Sequence, residues 1–281
     1  MPLSPDFQFS QSSLQDYVDC PRRFQLRYVL ELAWPAVAAE PADEYEAIVR
    51  DGEAFHRLVQ QHILGIIGDD VALEPGSNLA GWWANYLASP PPDLPSLRYP
   101  ELTLSAGLGQ HRLIAKFDLV AIEPGRRAVI VDWKTSARRP RPGRLAARLQ
   151  TRVYRYLLVV AGGALFAGVP LLPEQVEMIY WFADFPDEPE RLPYDMTQFE
   201  ADSRYLAELA AGAAARDDEV FPLTTDVKRC MFCAYRSLCN RGVEAGDMTG
   251  ADEDALAAEA EAAATDWAAG FDFEQVGEVE F

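Results

Sequence analysis

Between residues 97 and 134 the chain carries three runs of strand-forming residues separated by two short turn sequences, and nothing else in it constrains the fold as tightly. Leu97 to Ser105, Arg112 to Ile122 and Ala128 to Trp133 are rich in β-branched, aromatic and aliphatic residues. Gly107-Leu108-Gly109 and Glu123-Pro124-Gly125-Arg126 join them as hairpin-like turns. Helical periodicity predicts a helix of about 18 residues from Pro142-Gly143 to Val160, then a strand over Val176 to Phe182 and a further helix over Thr197 to Ala215. Upstream, Ser10 or Ser12 can cap a helix with apolar positions at Leu14, Tyr17, Val18, Phe24 and Leu26, and Pro21 forces a break near Cys20. A second helix is expected from Glu44 to Ile67. This order predicts an α/β core with a central mixed sheet flanked by helices. With 281 residues, 49% of them hydrophobic, the chain can bury such a core and is not disordered as a whole.

The formal net charge of −19 argues at first against a polyanionic ligand, but the charge is unevenly placed. Arg241 to Phe281 holds twelve acids and one base, so this low-complexity stretch carries −11 of the total. It reads as a mobile acidic tail, with Trp267, Phe271, Phe273 and Phe281 interleaved among the acids. Arg126 to Arg155 holds ten bases (Lys134 and nine arginines) around the single acid Asp132, a signature of polyanion binding. On the helix expected there, Leu145, Leu149, Val153, Tyr156 and Val160 form a core stripe. Arg144, Arg148, Arg152 and Arg155 take one flank, with Gln150 and Tyr154 on the other.

Asp132-Trp133-Lys134 closes the apolar strand that begins at Ala128. Side chains alternate along a strand, so Asp132 and Lys134 face one way and Trp133 the other, leaving the Trp133 carbonyl available as a neutral ligand. Asp118, on the preceding strand, can bring a second carboxylate to the same point. Mg²⁺ or Mn²⁺ favours such oxygen ligands, and a cation beside an ammonium suits hydrolysis of a phosphodiester. An Asp-X-Lys strand end is also a common surface ion pair, and His56 by itself fits a helix-surface or core histidine equally well.

Taken together, Gly52-Glu53-Ala54-Phe55-His56, Asp118, Asp132-Trp133-Lys134, and Gln150 with Tyr154 resemble the PD-(D/E)XK nuclease superfamily. The resemblance is to its RecB-like branch, which includes the AddB nuclease domain and the nucleases of CRISPR adaptation. Phe9-Ser10-Gln11-Ser12-Ser13-Leu14 and Cys20-Pro21-Arg22-Arg23-Phe24 are similar to that branch too, so the likeness spans about residues 8 to 240. It implies a restriction-endonuclease-like core in which His56, Asp118, Asp132 and the Trp133 carbonyl hold the metal. Lys134 would be the catalytic lysine, and Gln150 and Tyr154 would position the strand being cut. Glu101 falls where some relatives have an acidic residue, and Lys116 stands in Lys116-Phe117-Asp118 where many have glycine.

Cys230, Cys233 and Cys239 lie close together near the C-terminal end of the likeness, and Cys20 is the fourth and last cysteine. They suggest one tetrathiolate site closed between the two ends of the chain. Zinc and an iron–sulfur cluster both accept four thiolates. The resemblance implies a [4Fe–4S] cluster.

These readings divide the chain into an N-terminal helical segment (1–43), a nuclease core (44–220), a small cluster lobe joining the N- and C-terminal segments (221–242) and the tail (243–281). The expected activity is a Mg²⁺- or Mn²⁺-dependent deoxyribonuclease, exonucleolytic rather than endonucleolytic, acting on single-stranded or end-containing DNA. The resemblance places it in repair, recombination or CRISPR spacer acquisition in antiviral defence, with a helicase or a CRISPR integrase protein as partner. The tail would bind a basic partner or the protein's own groove. The alternative is a non-catalytic nucleic-acid-binding or assembly subunit on the same fold. The start of the sequence carries no secretory pattern, and the uncharged stretch from Tyr156 to Leu172 is interrupted by Gly162-Gly163 and Pro170. A cytoplasmic protein without a membrane span is therefore expected.

Overall fold

The structure, a computed structural model, describes residues 3–32, 42–136, 139–140, 143–231 and 233–242. The acidic tail from 243 onward, Arg138 and Arg141 lie outside the described residues. In chain order the elements are β1 (Gln8–Phe9), α1 (Gln11–Asp19), α2 (Pro21–Phe24), a π-helical turn (Gln25–Val29), α3 (Ala42–Ile63) and α4 (Asn78–Ala88). There follow β2 (Leu97–Leu108), β3 (His111–Glu123), β4 (Arg127–Lys134), α5 (Arg144–Ala147), α6 (Leu149–Ala161), β5 (Val176–Phe182), β6 (Phe185–Pro193) and α7 (Met196–Ala214). The side chain of Ser10 caps α1 in a capping box with Ser13. Gly109 and Gly125 adopt left-handed backbone (φ +64° and +75°) in the two hairpin turns.

The sheet is mixed. β3 pairs antiparallel with β2 on one edge and β4 on the other, β4 runs parallel to β5, and β6 returns antiparallel to β5. β1 adds a two-residue parallel pairing at the start of β3. β6, which the sequence pattern did not reveal, carries three prolines; an edge strand tolerates them because one row of its N–H groups faces solvent. Helices cover both faces. Phe55 and Val59 of α3 and Trp82, Trp83 and Tyr86 of α4 pack with Leu119, Val131, Trp133 and Trp181 on one side. On the other, Leu14 of α1, Val153, Tyr154 and Leu157 of α6 and Leu206 of α7 pack with Phe117, Val120, Ile130 and Tyr180. Phe9, Phe24 and Phe221 join that second core, so the terminal segments are built into it. Among the described residues no helix is long and apolar enough to cross a membrane.

One irregularity sets up the rest. Leu113, Ala115 and Phe117 of β3 face the α6 side, and so do Val120 and Ile122. The inward set changes from odd to even numbers at Asp118. Opposite it, Tyr99 and then Leu102, Leu104 and Ala106 of β2 pack on that same core, a matching change at Glu101. The β2–β3 register is unbroken on either side, from Pro100–Leu119 to Leu102–Phe117, and only the Glu101–Asp118 position drops out of the ladder. Glu101 takes a left-handed backbone with φ +55°, rare for a residue with a side chain.

Two sequence readings need correction. The helix expected from residue 143 to 160 breaks at Arg148, which is extended (φ −64°, ψ 142°), and Thr151 Oγ1 donates to the Leu145 carbonyl across the break. Leu145, Leu149, Val153 and Tyr156 are buried as the stripe predicts, but so are Tyr154 and Arg155 from its two flanks, while Val160, placed in the core stripe, is 47% exposed. The basic run from Arg126 to Arg155 is also far less of a free surface than its linear charge suggests. Arg126 pairs with Glu123, Arg127 with Asp93 and Glu123, and Arg139 with Glu188 and Glu190. Arg152 and Arg155 both reach Asp202 on α7. Those acids are distant in sequence or on other elements, and a count along the chain cannot see them.

Candidate active site

β3 and β4 pair only from Leu119–Val131 outward, so the C-terminal end of β4, residues 132–134, parts from β3 in a fork. Asp118 sits in that fork. Its Oδ2 accepts the Trp133 N–H at 2.9 Å, taking the place of a main-chain acceptor. The N–H and C=O of one strand residue point to the same edge, so the Trp133 carbonyl is also directed into the fork. On the other edge, β4 stays paired with β5 as far as Lys134–Phe182, and the Lys134 carbonyl accepts from Ala183.

Asp132 and Lys134 share the α6 face, as strand alternation predicts, while the Trp133 ring packs on the α3–α4 face. The Lys134 ammonium lies 2.7 Å from Asp132 Oδ2, and both groups are almost wholly buried. Gln150, near the start of α6, bridges the pair: its Nε2 donates to Asp132 Oδ1 at 2.8 Å and its Oε1 accepts from Lys134 at 3.2 Å. Tyr180 of β5 lies beneath, with the Lys134 ammonium 5.3 Å from its ring centroid and its hydroxyl bonded to Thr151 at 2.7 Å. Burial, with the Asp132 charge nearby, pushes the Tyr180 hydroxyl well above its ordinary pKa, so it stays neutral. Tyr154 is held neutral in the same way. It is buried, and its hydroxyl donates to the Lys116 carbonyl at 2.8 Å, two residues ahead of Asp118.

His56 enters from α3. Gly52, one helical turn earlier, lets the helix approach: a Cβ there would come within 3.0 Å of Thr135 Oγ1, just beyond β4. His56 Nδ1 lies 3.3 Å from Asp118 Oδ1. Burial works against the imidazolium, but the Asp118 carboxylate, with Asp132 behind it, outweighs burial and raises the His56 pKa to about 9. Burial alone would raise Asp118; His56 and the Trp133 N–H hold it below the usual carboxylate range. Glu101, across from Asp118 on β2, is ion-paired to Lys116. Among the described residues, ligand atoms of His56, Glu101 and Asp118 all lie within 4.8 Å of one another.

The fold therefore brings His56, Asp118, Asp132, Trp133, Lys134 and Gln150 to one fork and holds Tyr154 just behind it. What the sequence reading underweighted is Glu101. The signal was present as a change in the phase of alternation, with apolar residues at 97 and 99 and then at 102 and 104. A donor set of one imidazole and several carboxylates from separate elements fits Mg²⁺ or Mn²⁺.

The four cysteines lie apart from this fork. Cys20, at the C-terminal end of α1, comes close to the lobe that carries Cys230, Cys233 and Cys239, and none of the four is in a disulfide. Burial pushes the Cys230 and Cys239 thiols up, and the charge of Cys20 adds to this; Arg241 opposes it at both, Arg23 at Cys230 and Arg22 at Cys239. Main-chain and side-chain bonds tie the two ends together beside the thiols. Gln25 accepts the Phe221 N–H and donates to the Glu219 carbonyl, the Arg22 N–H donates to Pro222, and Tyr235 donates to the Leu32 carbonyl.

Comparison with known proteins matches residues 8–80 and 77–240 to the model of the PD-(D/E)XK nuclease superfamily. Solved structures similar to the chain include SSO0001, at 14% identity and TM-score 0.39, covering 83% of this chain and 85% of that one. Another is a candidate exonuclease from Eubacterium rectale, at 8% identity and TM-score 0.45, covering 76% of this chain and 84% of that one. No curated protein matches.

Proposed function

Given that this chain belongs to the PD-(D/E)XK nuclease superfamily, we propose that it is a deoxyribonuclease that hydrolyses phosphodiesters at DNA ends or in single strands. The observation that carries this reading is the convergence of His56, Asp118, Asp132, Lys134 and Gln150 on one fork from α3, β3, β4 and α6. His56, Asp118, Asp132 and the Trp133 carbonyl are the groups that would hold Mg²⁺ or Mn²⁺. When bound, the cation supplies positive charge at the phosphate and makes water a better nucleophile at neutral pH.

The remaining work belongs to the chain. Lys134 presents an ammonium, already desolvated and fixed by Gln150, to the charge that grows on the phosphate. Asp132 keeps that ammonium oriented, and Gln150 keeps Asp132 oriented in turn. Tyr154 acts as a positioning residue through the Lys116 carbonyl, holding the strand segment that carries Asp118. The Trp133 N–H fixes the rotation of the Asp118 carboxylate.

The cysteines complete the reading as holders of a [4Fe–4S] cluster. Four thiols free of disulfides, brought together from both ends of the chain and attended by Arg22, Arg23 and Arg241, suit an anionic cluster. The cluster would staple the terminal segments across the core. Its role is structural, in a helicase–nuclease or CRISPR-adaptation setting.

The test uses anaerobically purified protein with end-labelled single- and double-stranded DNA, Mg²⁺ or Mn²⁺, an EDTA control and Lys134→Ala. Metal-dependent cutting that Lys134→Ala abolishes supports the reading, and the label lost first gives the polarity. DNA that is bound but never cut would replace it with the non-catalytic binding or assembly subunit.

A further inference from the structure

Tyr180 is wholly buried, and its register partner on β4 is Asp132. A phenylalanine would fill the same space with no hydroxyl to satisfy, and a buried hydroxyl costs free energy unless it is bonded. Here the hydroxyl has a defined partner. Thr151 Oγ1 gives its one hydrogen to the Leu145 carbonyl, so in the 2.7 Å contact between the two hydroxyls Tyr180 is the donor. The result is a chain of bonds, Tyr180 to Thr151 to Leu145, that runs from beneath Lys134 across the break between α5 and α6. The main-chain carbonyl of Thr151 is held as well. Arg155 Nε donates to it at 3.3 Å, and the same buried guanidinium donates to the Pro193 carbonyl at 3.0 Å and to Gln198 Oε1 at 3.2 Å. Thr151 directly follows Gln150, whose amide bridges Asp132 and Lys134.

We propose that Tyr180 is a positioning residue of the nuclease site, acting through Thr151 to seat the start of α6 so that the Gln150 amide meets Asp132 and Lys134. This deepens the reading under Proposed function and rests on it. The two halves of the Tyr180 side chain serve the same pair of groups. Its ring supports the Lys134 ammonium, 5.3 Å from the centroid, and its hydroxyl fixes the helix end that carries Gln150. Gln150 can serve both charges only with Nε2 toward the carboxylate and Oε1 toward the ammonium, and the Tyr180 hydroxyl, 3.4 Å from Oε1, stands on the oxygen's side.

The test is single-turnover cleavage of end-labelled DNA by the full chain with Mg²⁺ or Mn²⁺, read as the maximal rate constant and the enzyme concentration that half-saturates it. Wild type is compared with Tyr180→Phe, Thr151→Val, Thr151→Ser, Gln150→Ala and the double variant Tyr180→Phe/Gln150→Ala. Tyr180→Phe and Thr151→Val should each lower the maximal rate at least about tenfold, since a misplacement of about 1 Å costs on the order of a hundredfold. Half-saturation should stay within about twofold, because neither change removes a contact that binds DNA in both ground and transition states. Thr151→Ser keeps the hydroxyl and should cut as wild type. Adding Tyr180→Phe to Gln150→Ala should cost less than about twofold more, because the path it acts through is already cut. A wild-type maximal rate in Tyr180→Phe and Thr151→Val would overturn the inference, and so would losses that multiply in the double variant. The two single variants break the same chain at different bonds, so if one folds poorly the other decides. Wild type that cuts while these variants match it removes this inference alone; wild type that never cuts removes the reading under Proposed function and this inference with it.

Discussion

Replacing Lys134 by Met removes the ammonium but keeps most of the apolar stem. The lost group is 2.7 Å from Asp132 Oδ2 in a pair whose side chains are only 4% and 3% exposed. Removing one partner of a buried ion pair typically costs about 3–5 kcal/mol, because the other charge is left behind. Asp132 has one escape, which is to take up a proton. For a carboxyl with an ordinary pKa near 3.9, that costs about 4 kcal/mol at pH 7. The two figures bracket a loss of about 3–4 kcal/mol, which for a domain of this size lowers Tm by roughly 6–16 °C. The loss should shrink by up to about 1.4 kcal/mol per pH unit as the solution is acidified towards pH 5, since the escape becomes cheaper. Added Mg²⁺ should restore part of it by supplying the missing positive charge. The assay is thermal denaturation of wild type and Lys134→Met at pH 5, 6 and 7, with EDTA or Mg²⁺. A variant within about 2 °C of wild type at pH 7 in EDTA would refute the buried-pair argument, as would a deficit that ignores pH.

Three further outcomes are expected. In EDTA, the His56–Asp118 contact should stabilise the protein fully below pH 6.5, and that contribution should fade as pH rises through about 9. Its sign follows from a folded pKa above the unfolded one, and urea midpoints between pH 6 and 10 should lose this slope in His56→Asn. Cys233→Ala should give a colourless, less stable protein with sub-stoichiometric iron and sulfide, whereas an intact brown cluster in that variant would rule out the ligand assignment. Deleting residues 243–281 removes twelve carboxylates, so filter binding at low salt should show tighter DNA binding; unchanged affinity would leave the tail to partner binding or solubility.

Much of the site was legible because its signals are local. Asp132-Trp133-Lys134 ends an apolar run, so alternation alone put the carboxylate and the ammonium on one face, as the buried pair confirms. Gly52 and His56 lie one helical turn apart, a spacing that survives any tertiary arrangement of α3. Gln150 was legible as a residue but not in its partners, because Asp132 and Lys134 belong to β4 and reach it only once α6 has packed on the sheet.

The sequence by itself determined the strand–turn–strand order, the chemistry at the end of β4 and the grouping of the cysteines. Each depends on the properties of residues within a few positions of one another. The tertiary structure alone decided three other things. It matched the arginines of 126–155 with Asp93, Glu188, Glu190 and Asp202, turning much of an apparent polyanion surface into internal ion pairs. It buried Tyr154 against the Lys116 carbonyl. It also interrupted the ladder at Glu101 and Asp118, so that two carboxylates meet across a strand pair with His56 and Lys116 beside them. In each case the energy comes from groups far apart in the chain, whose attraction or repulsion exists only once folding has brought them within a few ångströms.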